Sequence, residues 1–392
     1  MQLIIKNALI PQNRSSFKKG HIVVDQGKIK KIWYSDNIPK CECEKMVNAE
    51  GFIINSGFID THNHGGNGYG YNCEDNELEK IEQRLISAGI TSVLATWESS
   101  TFDETLKFIK RIQKYKENKV LKNTEIIGIH LEGPYFNNEK KGMHQEMFIR
   151  KASIVEVDLV LKEYGELIKV WSLAPEIEEN MSVIDIMAKN GVSVAIAHTN
   201  ADYYTAMEAF SRGANRVTHV FNAMPALNQR YHGVVTAAWE HGAFMELIAD
   251  NHHVSPTVMK MFISASDSEK IILVSDNNEC SGLKDGSYNV HNRKLFVING
   301  RLELESGLLA GGIIGLNQCA RNVMNCGFSA WNALKMASEN PARAIGVFDR
   351  KGSIAAGKDA DLVILDEQLN VKMTIKAGRI VYRSESKILE TK

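Results

Sequence analysis

Two histidines, His62 and His64, stand at the end of an apolar run that begins at Gly57 and breaks into Gly65-Gly66. In an extended strand, residues two apart point to the same side. Both imidazoles are therefore expected to face one point where a strand gives way to a loop, and converging imidazoles are common metal ligands. Taken alone, the pair is also compatible with two structural histidines, because short motifs give false positives.

Polar side chains of the same kind end several other apolar segments. They are Glu132 after GIHL, His198 after VAIA, His219 within RVTHV and Asp276 after ILVS. Each has an ordinary alternative, such as a core histidine bonded to a carbonyl or a loop carboxylate that caps the next turn. Buried carboxylates are costly unless they are paired or bound to metal. Their joint occurrence at segment ends therefore favours a site for zinc or a similar divalent ion.

The segments that carry these residues alternate with amphipathic helices. The candidate strands are FIDTHNH, TSVLATWES, EIIGIHLEGP, IKVWSLAPE, VSVAIAHT, RVTHVFNAM, MELIADNHHV and KIILVSDNN. Intervening helices such as NELEKIEQRLISAG end at glycines typical of a helix C-terminus, among them Gly89, Gly191 and Gly213. Near-continuous apolar strands are typical of a parallel sheet covered by helices.

Eight such strands predict an α/β protein with a (β/α)8 TIM-like barrel, whose chemistry gathers at the carboxyl ends of the strands. A doubly wound open sheet is the alternative. It is disfavoured because no glycine-rich phosphate loop follows the first strand.

The two ends of the chain predict hairpins. HIVVDQGKIKKIWY turns at Gln26-Gly27, and VKMTIKAGRIVYR, which follows the strand ADLVILD, turns at Ala377-Gly378. Isolated hairpins are marginal in water, so the ends are expected to pack together. Residues 1–54 and 351–392 are therefore predicted to form one small discontinuous β-sandwich domain, and residues 55–350 the catalytic barrel.

The overall charge excludes some partners. The chain has 46 Lys and Arg against 47 Asp and Glu, with no long basic run, so binding to nucleic acid or to an anionic membrane is not indicated. The first residues, MQLIIKNALI, are too soon interrupted for a signal peptide, and no apolar run is long enough to span a membrane. These features predict a cytoplasmic location.

Longer motifs carry a resemblance that covers nearly all of residues 50 to 367. They are GFIDTHNHGG, GIHLEGPYFNNEKKGMH, AIAHTNAD, THVFNAMPALNQRYHG, LIADNHHV, ILVSDNNECSGLKDG, LLAGG and NPARAIGVFDRKGSIAAGKDADLVILD. On these motifs the chain resembles the N-acetylglucosamine-6-phosphate deacetylase family of the amidohydrolase superfamily. The succession of HLEGP, HT and THVFNAM, with an Arg a few residues on, is specific to that family within the superfamily. The resemblance also implies the barrel and the split β domain.

The resemblance implies a divalent metal cofactor. Metal ligation is expected from Glu132, His198 and His219. His62 and His64 are absent from some relatives that use a single metal, so the resemblance leaves the number of ions per subunit at either one or two. Zinc is the first expectation, and iron, manganese and cobalt accept the same ligands.

The resemblance further implies the catalytic and substrate-binding residues. Asp276 matches the family's acid/base, and His144 is expected to help hold the oxyanion. The residues that match sugar or phosphate contacts are Met143, Asn222, Ala223, Arg230, Asp250, His253, Leu309, Ala310 and Gly311. In that family the counterpart of Arg230 reaches the substrate of a neighbouring subunit, which implies a homodimer.

The expected reaction is removal of the acetyl group from N-acetyl-D-glucosamine 6-phosphate, giving D-glucosamine 6-phosphate and acetate in amino-sugar catabolism. The galactosamine epimer is an open alternative, and the run Asn277-Asn278-Glu279-Cys280 departs from the small residues usual after the catalytic Asp. A cyclic amidase or aminoacylase is less favoured, since those enzymes bridge two metals with a carboxylated Lys where this chain has Glu132. A non-catalytic barrel scaffold would be expected to have lost its ligands.

Overall fold

The computed structural model describes residues 2–13, 16–34, 45–118, 123–385 and 390–391. Within these residues the chain forms 22 strands. In chain order they are β1 (Gln2–Asn13), β2 (Ser16–Asp25), β3 (Lys28–Trp33), β4 (Lys45–Asn48), β5 (Ile53–Ser56), β6 (Phe58–Asn63), β7 (Gly65–Gly66), β8 (Tyr69–Gly70), β9 (Ile90–Trp97), β10 (Glu125–Glu132), β11 (Ile168–Leu173), β12 (Ser193–Ile196), β13 (Ala214–Val217), β14 (Phe244–Ile248), β15 (Ile271–Val274), β16 (Gly286–Val290), β17 (Arg293–Ile298), β18 (Arg301–Leu304), β19 (Leu362–Leu365), β20 (Val371–Lys376), β21 (Arg379–Arg383) and β22 (Glu390–Thr391).

The helices follow most of the barrel strands. They are α1 (Asp75–Ser87), α2 (Phe102–Glu117), α3 (Ile154–Tyr164), α4 (Glu178–Lys189), α5 (Tyr203–Ser211), α6 (Val234–His241), α7 (Pro256–Ala265), α8 (Leu316–Asn325), α9 (Ala330–Ala337) and α10 (Glu339–Ala344). The predicted glycine terminators Gly89, Gly191 and Gly213 all have positive φ, as helix C-termini require. Within the described residues, no helix is long and apolar enough to cross a membrane.

Eight parallel strands, β6 and β9 to β15, are hydrogen-bonded in chain order. All of them coincide with the segments predicted from the sequence, except that β9, β13 and β14 begin one or two residues earlier, so the TIM-like barrel is confirmed. The seam between the last and first strands is joined at their carboxyl ends, where the Asp276 N–H donates to the His62 carbonyl at 3.0 Å and the His64 N–H donates to the Asn277 carbonyl at 2.7 Å. The seam therefore brings two of the predicted site segments into direct contact.

The barrel interior is apolar away from the catalytic end. One side chain from each of five successive strands belongs to a cluster separate from the larger core that the strands share with the helices: Ile59, Leu94, Ile127, Val170 and Ala195. Layers of branched side chains of this kind fill the interior of TIM barrels. The predicted metal ligands and catalytic residues thus lie above this apolar layer, at the carboxyl ends of the strands.

The two chain ends meet in one sheet of order β21-β20-β19-β5-β1-β2-β3, with β4 pairing both β1 and β22. The predicted turns have positive φ at both central residues, 50° and 77° at Gln26-Gly27 and 47° and 76° at Ala377-Gly378, as tight hairpins require. The β domain built from both termini is therefore confirmed. Its predicted boundaries, 1–54 and 351–392, stay a prediction.

A network of opposite charges, which we call the ionic cluster, connects the amino end of the barrel to the terminal sheet. Its members are Glu125, Arg350, Lys351, Asp359, Asp361 and Lys376. Arg350 lies 2.6 Å from Glu125 at the start of β10, and Lys376 lies 2.7 Å from Asp361. Because three cations neutralise the three carboxylates, this group serves as an ion-pair network rather than as a metal site.

A second feature was not predicted from the sequence. Strands β16, β17 and β18 form an antiparallel sheet, here called the three-stranded insert (residues 286–304), between β15 and α8. Arg293 fixes the insert to the barrel: its guanidinium lies 2.6 Å from Glu98 and donates to the Met143 carbonyl at 2.7 Å. The insert therefore forms one wall above the carboxyl end of the barrel.

Candidate metal and active site

The carboxylate of Glu132 lies at the centre of a cluster of imidazoles. Five Nε2 atoms approach its oxygens: His62 at 3.2 Å, His64 at 3.3 Å, His144 at 3.5 Å, His198 at 3.5 Å and His219 at 3.3 Å. The Oδ1 atom of Asp276 joins them, 3.3 Å from His62 Nε2 and 3.5 Å from His64 Nε2. The structure thus brings together every predicted metal ligand and both predicted catalytic residues.

Three of these residues have a backbone conformation that non-glycine residues rarely adopt. His198, His219 and Asp276 each stand two positions after the end of a barrel strand and have φ values of 45°, 28° and 48°. Such left-handed residues cost on the order of 1–3 kcal/mol each and cluster at functional sites. The turn they make at the strand end places their side chains beside the Glu132 carboxylate.

Hydrogen bonds fix which ring nitrogen of His198 faces the cluster. Its Nδ1 lies 2.8 Å from the Lys140 carbonyl, which only accepts, so Nδ1 carries the proton and Nε2 presents a lone pair. Nε2 of His198 lies 3.1 Å from Nε2 of His219, and those of His62 and His64 lie 3.2 Å apart. Lone pairs and carboxylate oxygens at this density need a cation among them. The nitrogen and oxygen donors present therefore fit a divalent metal ion.

His144 has the opposite arrangement. Its Nδ1 accepts a hydrogen bond from the Ser99 backbone N–H at 3.3 Å, so the neutral ring carries its proton on Nε2. That Nε2–H points toward the cluster as a donor, 3.5 Å from Glu132. His144 lies as close to Glu132 as His198 does, but its Nε2 proton makes it suited to donate a hydrogen bond to a substrate oxygen.

The charges around Asp276 keep it ionised. Burial raises the pKa of this carboxyl, but its contacts with His62 and His64, at 3.3 and 3.5 Å, outweigh burial and hold the pKa well below its usual value. Asp276 is therefore a carboxylate at neutral pH and can accept a proton.

A cavity of about 650 Å³ opens above the cluster. The predicted substrate contacts that line it are Met143, Asn222, Ala223, His253, Leu309, Ala310 and Gly311. His64, His144 and Asp276 line it as well, whereas His62 is completely buried behind them. One cavity thus joins the reacting groups to most of the predicted sugar contacts.

Two predicted contacts lie elsewhere. Arg230 is exposed and does not line this cavity. Asp250 lies below the surface, where its carboxylate accepts from the backbone N–H groups of His252 and His253 at 2.8 Å and lies 2.7 Å from the His253 ring. Asp250 therefore orients His253, which does line the cavity.

The amidohydrolase family model matches residues 53–381. The chain belongs to the amidohydrolase family. Members of this family are metal-dependent hydrolases, in agreement with the donor set around Glu132. The match covers the whole barrel together with β5, β19 and β20 of the terminal sheet.

The sequences of several similar proteins align with most of this amidohydrolase. It is 34% identical to N-acetylglucosamine-6-phosphate deacetylase of Bacillus subtilis (strain 168), over 98% of each chain. It is 31% identical to N-acetylgalactosamine-6-phosphate deacetylase of Escherichia coli O157:H7, over 82% of this chain and 86% of that protein. The crystal structure of N-acetylglucosamine-6-phosphate deacetylase from Pasteurella multocida superposes with a TM-score of 0.91 at 28% identity, over 98% of this chain and 100% of the other.

Several residues of this amidohydrolase site were not predicted from the sequence. Glu98 and Arg293 line the cavity as an ion pair, and Glu246 and Arg216 lie buried beneath the cluster. The last two carry a sequence signal: each is a charged residue within an apolar strand, in MELIAD and ANRV. Glu98 and Arg293 carry none, because their partners are 195 positions apart.

The run Asn277-Asn278-Glu279-Cys280 has a structural explanation. The Asn278 amide donates to the Ala310 carbonyl at 3.1 Å, which holds the loop that borders the cavity. Glu279 lies 2.8 Å from His291 at the turn of the three-stranded insert. The departure from small residues therefore serves to attach the insert and the Leu309–Gly311 loop to the end of β15.

Proposed function

We propose that this amidohydrolase removes the acetyl group of N-acetyl-D-glucosamine 6-phosphate, giving D-glucosamine 6-phosphate and acetate in amino-sugar catabolism. The observation that carries the proposal is the pairing of an ionised Asp276 with an imidazole cluster on Glu132, at the floor of a cavity lined by the predicted sugar contacts. Full-length similarity to the Bacillus subtilis deacetylase of this substrate supports it.

An amide is a poor electrophile and water a poor nucleophile, so hydrolysis needs both to be activated. A divalent cation bound by Glu132, His198 and His219 supplies a Lewis acid that polarises the carbonyl and lowers the pKa of water to about 7. We propose zinc as this ion, with iron, manganese and cobalt as alternatives, because all accept these ligands. His62 and His64 share Glu132 with that set and offer a position for a second ion.

The residues of the chain carry the proton transfers. Asp276 accepts the proton of the attacking water and then delivers it to the departing amine, so that acetate and the free amino sugar leave in balance. The Nε2–H of His144 donates to the carbonyl oxygen as negative charge develops on it. His253, oriented by Asp250, and the Leu309–Gly311 loop border the sugar.

Arg230 completes the site in a proposed homodimer. It is exposed on a loop outside its own cavity, and a guanidinium is the side chain best matched to a phosphate dianion. We infer that it reaches the phosphate bound by a second copy of the chain. A phosphate dianion crosses membranes poorly because of its hydration, so a sugar phosphate substrate supports a cytoplasmic location.

The galactosamine epimer is a second candidate substrate. The relative from Escherichia coli O157:H7 is named for that epimer and is nearly as similar to this chain as the glucosamine enzymes. The two substrates differ in the configuration of a single hydroxyl. The ratio of their kcat/KM values therefore measures how strongly the cavity discriminates between the two configurations.

A single assay tests the proposal. Protein of determined metal content is given each of the two sugar phosphates, and unphosphorylated N-acetylglucosamine as the control for Arg230. We expect acetate release with a kcat/KM at least tenfold higher for N-acetylglucosamine 6-phosphate than for either other compound. A reversed ranking would replace the glucosamine substrate by galactosamine. Absence of acetate from metal-loaded protein would overturn the deacetylase function.

A further inference from the structure

A buried ion pair lies directly beneath the imidazole cluster. Arg216 on β13 and Glu246 on β14 are both completely buried, and Nη1 of Arg216 lies 3.0 Å from Oε1 of Glu246. The other two guanidinium nitrogens of Arg216 have no hydrogen-bond partner within the described residues. Burial of an ion pair costs desolvation energy that its own attraction often fails to recover. Stability alone therefore does not explain this pair.

The second oxygen of Glu246 faces a predicted metal ligand. Its Oε2 lies 3.0 Å from Nδ1 of His62, while its Oε1 is paired with the guanidinium of Arg216, which favours the carboxylate form. A carboxylate only accepts hydrogen bonds, so it fixes the His62 proton on Nδ1. The lone pair on Nε2 of His62 then points at Glu132, 3.2 Å away.

The neighbouring histidine does not compete for this arrangement. His130 packs edge-on against His62 with ring centroids 4.6 Å apart. Both its nitrogens are already engaged, Nε2 with Ser172 at 2.7 Å and Nδ1 with the Thr61 carbonyl at 3.2 Å. A cation between His62, His130 and Glu246 would also lie close to the positive charge of Arg216, which pairs with the same carboxylate. The free side of His62 is therefore the Nε2 side.

The other predicted ligands are oriented by different means. Nδ1 of His198 donates to a backbone carbonyl, and Nδ1 of His219 has no partner among the described residues. Glu246 touches His219 only through its backbone N–H, at 3.4 Å. A change at Glu246 should therefore act on the His62 side of the cluster.

We propose that Glu246, held by Arg216, is a positioning residue that commits Nε2 of His62 to a divalent cation shared with His64 and Glu132. This inference rests on the proposed metal-dependent function. Carboxylates that hold the far nitrogen of a metal-bound histidine typically contribute 10- to 100-fold to metal affinity. The pair thereby sets the affinity of the His62–His64 position separately from that of the His198–His219 position.

The variant Glu246→Gln tests the orientation of the ring. Arg216 only donates, so the amide oxygen of Gln turns to Arg216 and the amide NH₂ turns to Nδ1 of His62. The ring must then carry its proton on Nε2, where it opposes a cation. We expect chelator competition to show a 10- to 100-fold loss of affinity for one ion, with the affinity of the other within about threefold of wild type.

The double variant Arg216→Met/Glu246→Gln supplies the rescue. Without Arg216 the amide oxygen is free to turn to His62 and restore the proton on Nδ1, so the weakened affinity should return to within about threefold of wild type. Thermal unfolding of metal-free protein reports any loss of folding in each variant. A purely structural role predicts lower stability and equal weakening of both ions.

Three results would overturn the inference. They are unchanged affinities in Glu246→Gln, equal weakening of both ions, and no recovery in the double variant. If wild-type protein binds no divalent cation, the proposed function itself fails. If wild-type protein binds metal and releases acetate while Glu246→Gln binds metal as tightly, only the role of Glu246 fails.

Discussion

The Nε2 atoms of His198 and His219 lie 3.1 Å apart, with their rings at 89° to one another. Both face Glu132, and His198 has already committed its Nδ1 proton to a backbone carbonyl. Two buried nitrogens at this distance from each other and from a carboxylate are stabilised when a cation binds between them. The metal should therefore stabilise the folded protein as well as activate the substrate.

Metal removal is the first prediction. A ligand that binds only the folded state at 100 times its Kd adds about 2.7 kcal/mol to the free energy of unfolding. We expect dialysis against a chelator to lower Tm by several degrees and to abolish acetate release, and Zn²⁺ to restore both. Differential scanning calorimetry on metal-free and reloaded protein measures the change. Equal Tm values for the two forms would contradict a metal at this site.

Replacement of the acid/base is the second prediction. Asp276→Asn keeps the shape of the side chain but removes its capacity to accept a proton. We expect kcat to fall about 10²- to 10⁴-fold with metal content retained, measured by steady-state acetate release and mass spectrometry of the metal. The control is Asp250→Asn, which disturbs the orientation of His253 and should act mainly on KM. Activity of Asp276→Asn within tenfold of wild type would exclude the proposed role.

The barrel and the residues that converge on Glu132 were predictable because both depend on local patterns. Apolar runs of strand length alternating with amphipathic helices indicate the barrel, and the strand ends then indicate where His62, Glu132, His198 and Asp276 converge. The convergence requires no knowledge of side-chain packing, because parallel strands of a barrel all end on the same face. The two hairpin turns were predictable for the same local reason.

The remaining features depend on contacts between distant parts of the chain. The three-stranded insert is held by Arg293 against Glu98, 195 positions away, and no local pattern specifies that partner. The left-handed backbone at His198 and His219 is likewise imposed by the tertiary structure, since few residues other than glycine adopt positive φ. The role of Asp250 was also visible only in the structure, where its carboxylate holds His253.

The attachment of the insert is the third prediction. Glu98→Gln removes the charge that holds Arg293, whose guanidinium also donates to the Met143 carbonyl beside His144. Hydrogen bonds to charged groups contribute about 1.5–3 kcal/mol, and we expect KM for the sugar phosphate to rise about tenfold or more with kcat reduced less. Steady-state kinetics measure this split. Half-buried Glu303 in the same insert offers the control Glu303→Gln, because it pairs with Arg301 on the same strand at 3.2 Å and does not line the cavity. Identical kinetics of the two variants would exclude a role for the Glu98–Arg293 pair.

The contribution of Arg230 to the site of the partner subunit is the fourth prediction. Arg230→Ala should raise KM for the phosphorylated substrate at least tenfold and leave KM for N-acetylglucosamine unchanged, because only the phosphate needs the guanidinium. A mixed dimer of Arg230→Ala with Asp276→Asn, purified by two different tags, should recover about half of wild-type activity, since one of its two sites has both residues. An inactive mixed dimer, or a monomer in sedimentation velocity, would contradict the shared site.

Acid sensitivity of the ionic cluster is the fifth prediction. Burial raises the pKa of Asp359, but the hydrogen bond from Lys28 and the charge of Lys351 outweigh burial and lower that pKa to about 2. The folded protein therefore binds this proton less readily than the unfolded chain does. Asp359 should stabilise the fold above a pH of about 4, its unfolded pKa, and this contribution should be lost as the pH falls toward 2.

The variant Asp359→Asn isolates that contribution. At pH 7 we expect a free energy of unfolding about 1–3 kcal/mol below wild type, because Arg350 and Lys28 each lose a charged acceptor. The difference between the two proteins should shrink between pH 4 and pH 2, as measured by urea unfolding at each pH. Exposed Asp158 on α3 provides the control Asp158→Asn, which should match wild type throughout. A difference independent of pH would mean that Asp359 acts through its shape and not through its charge.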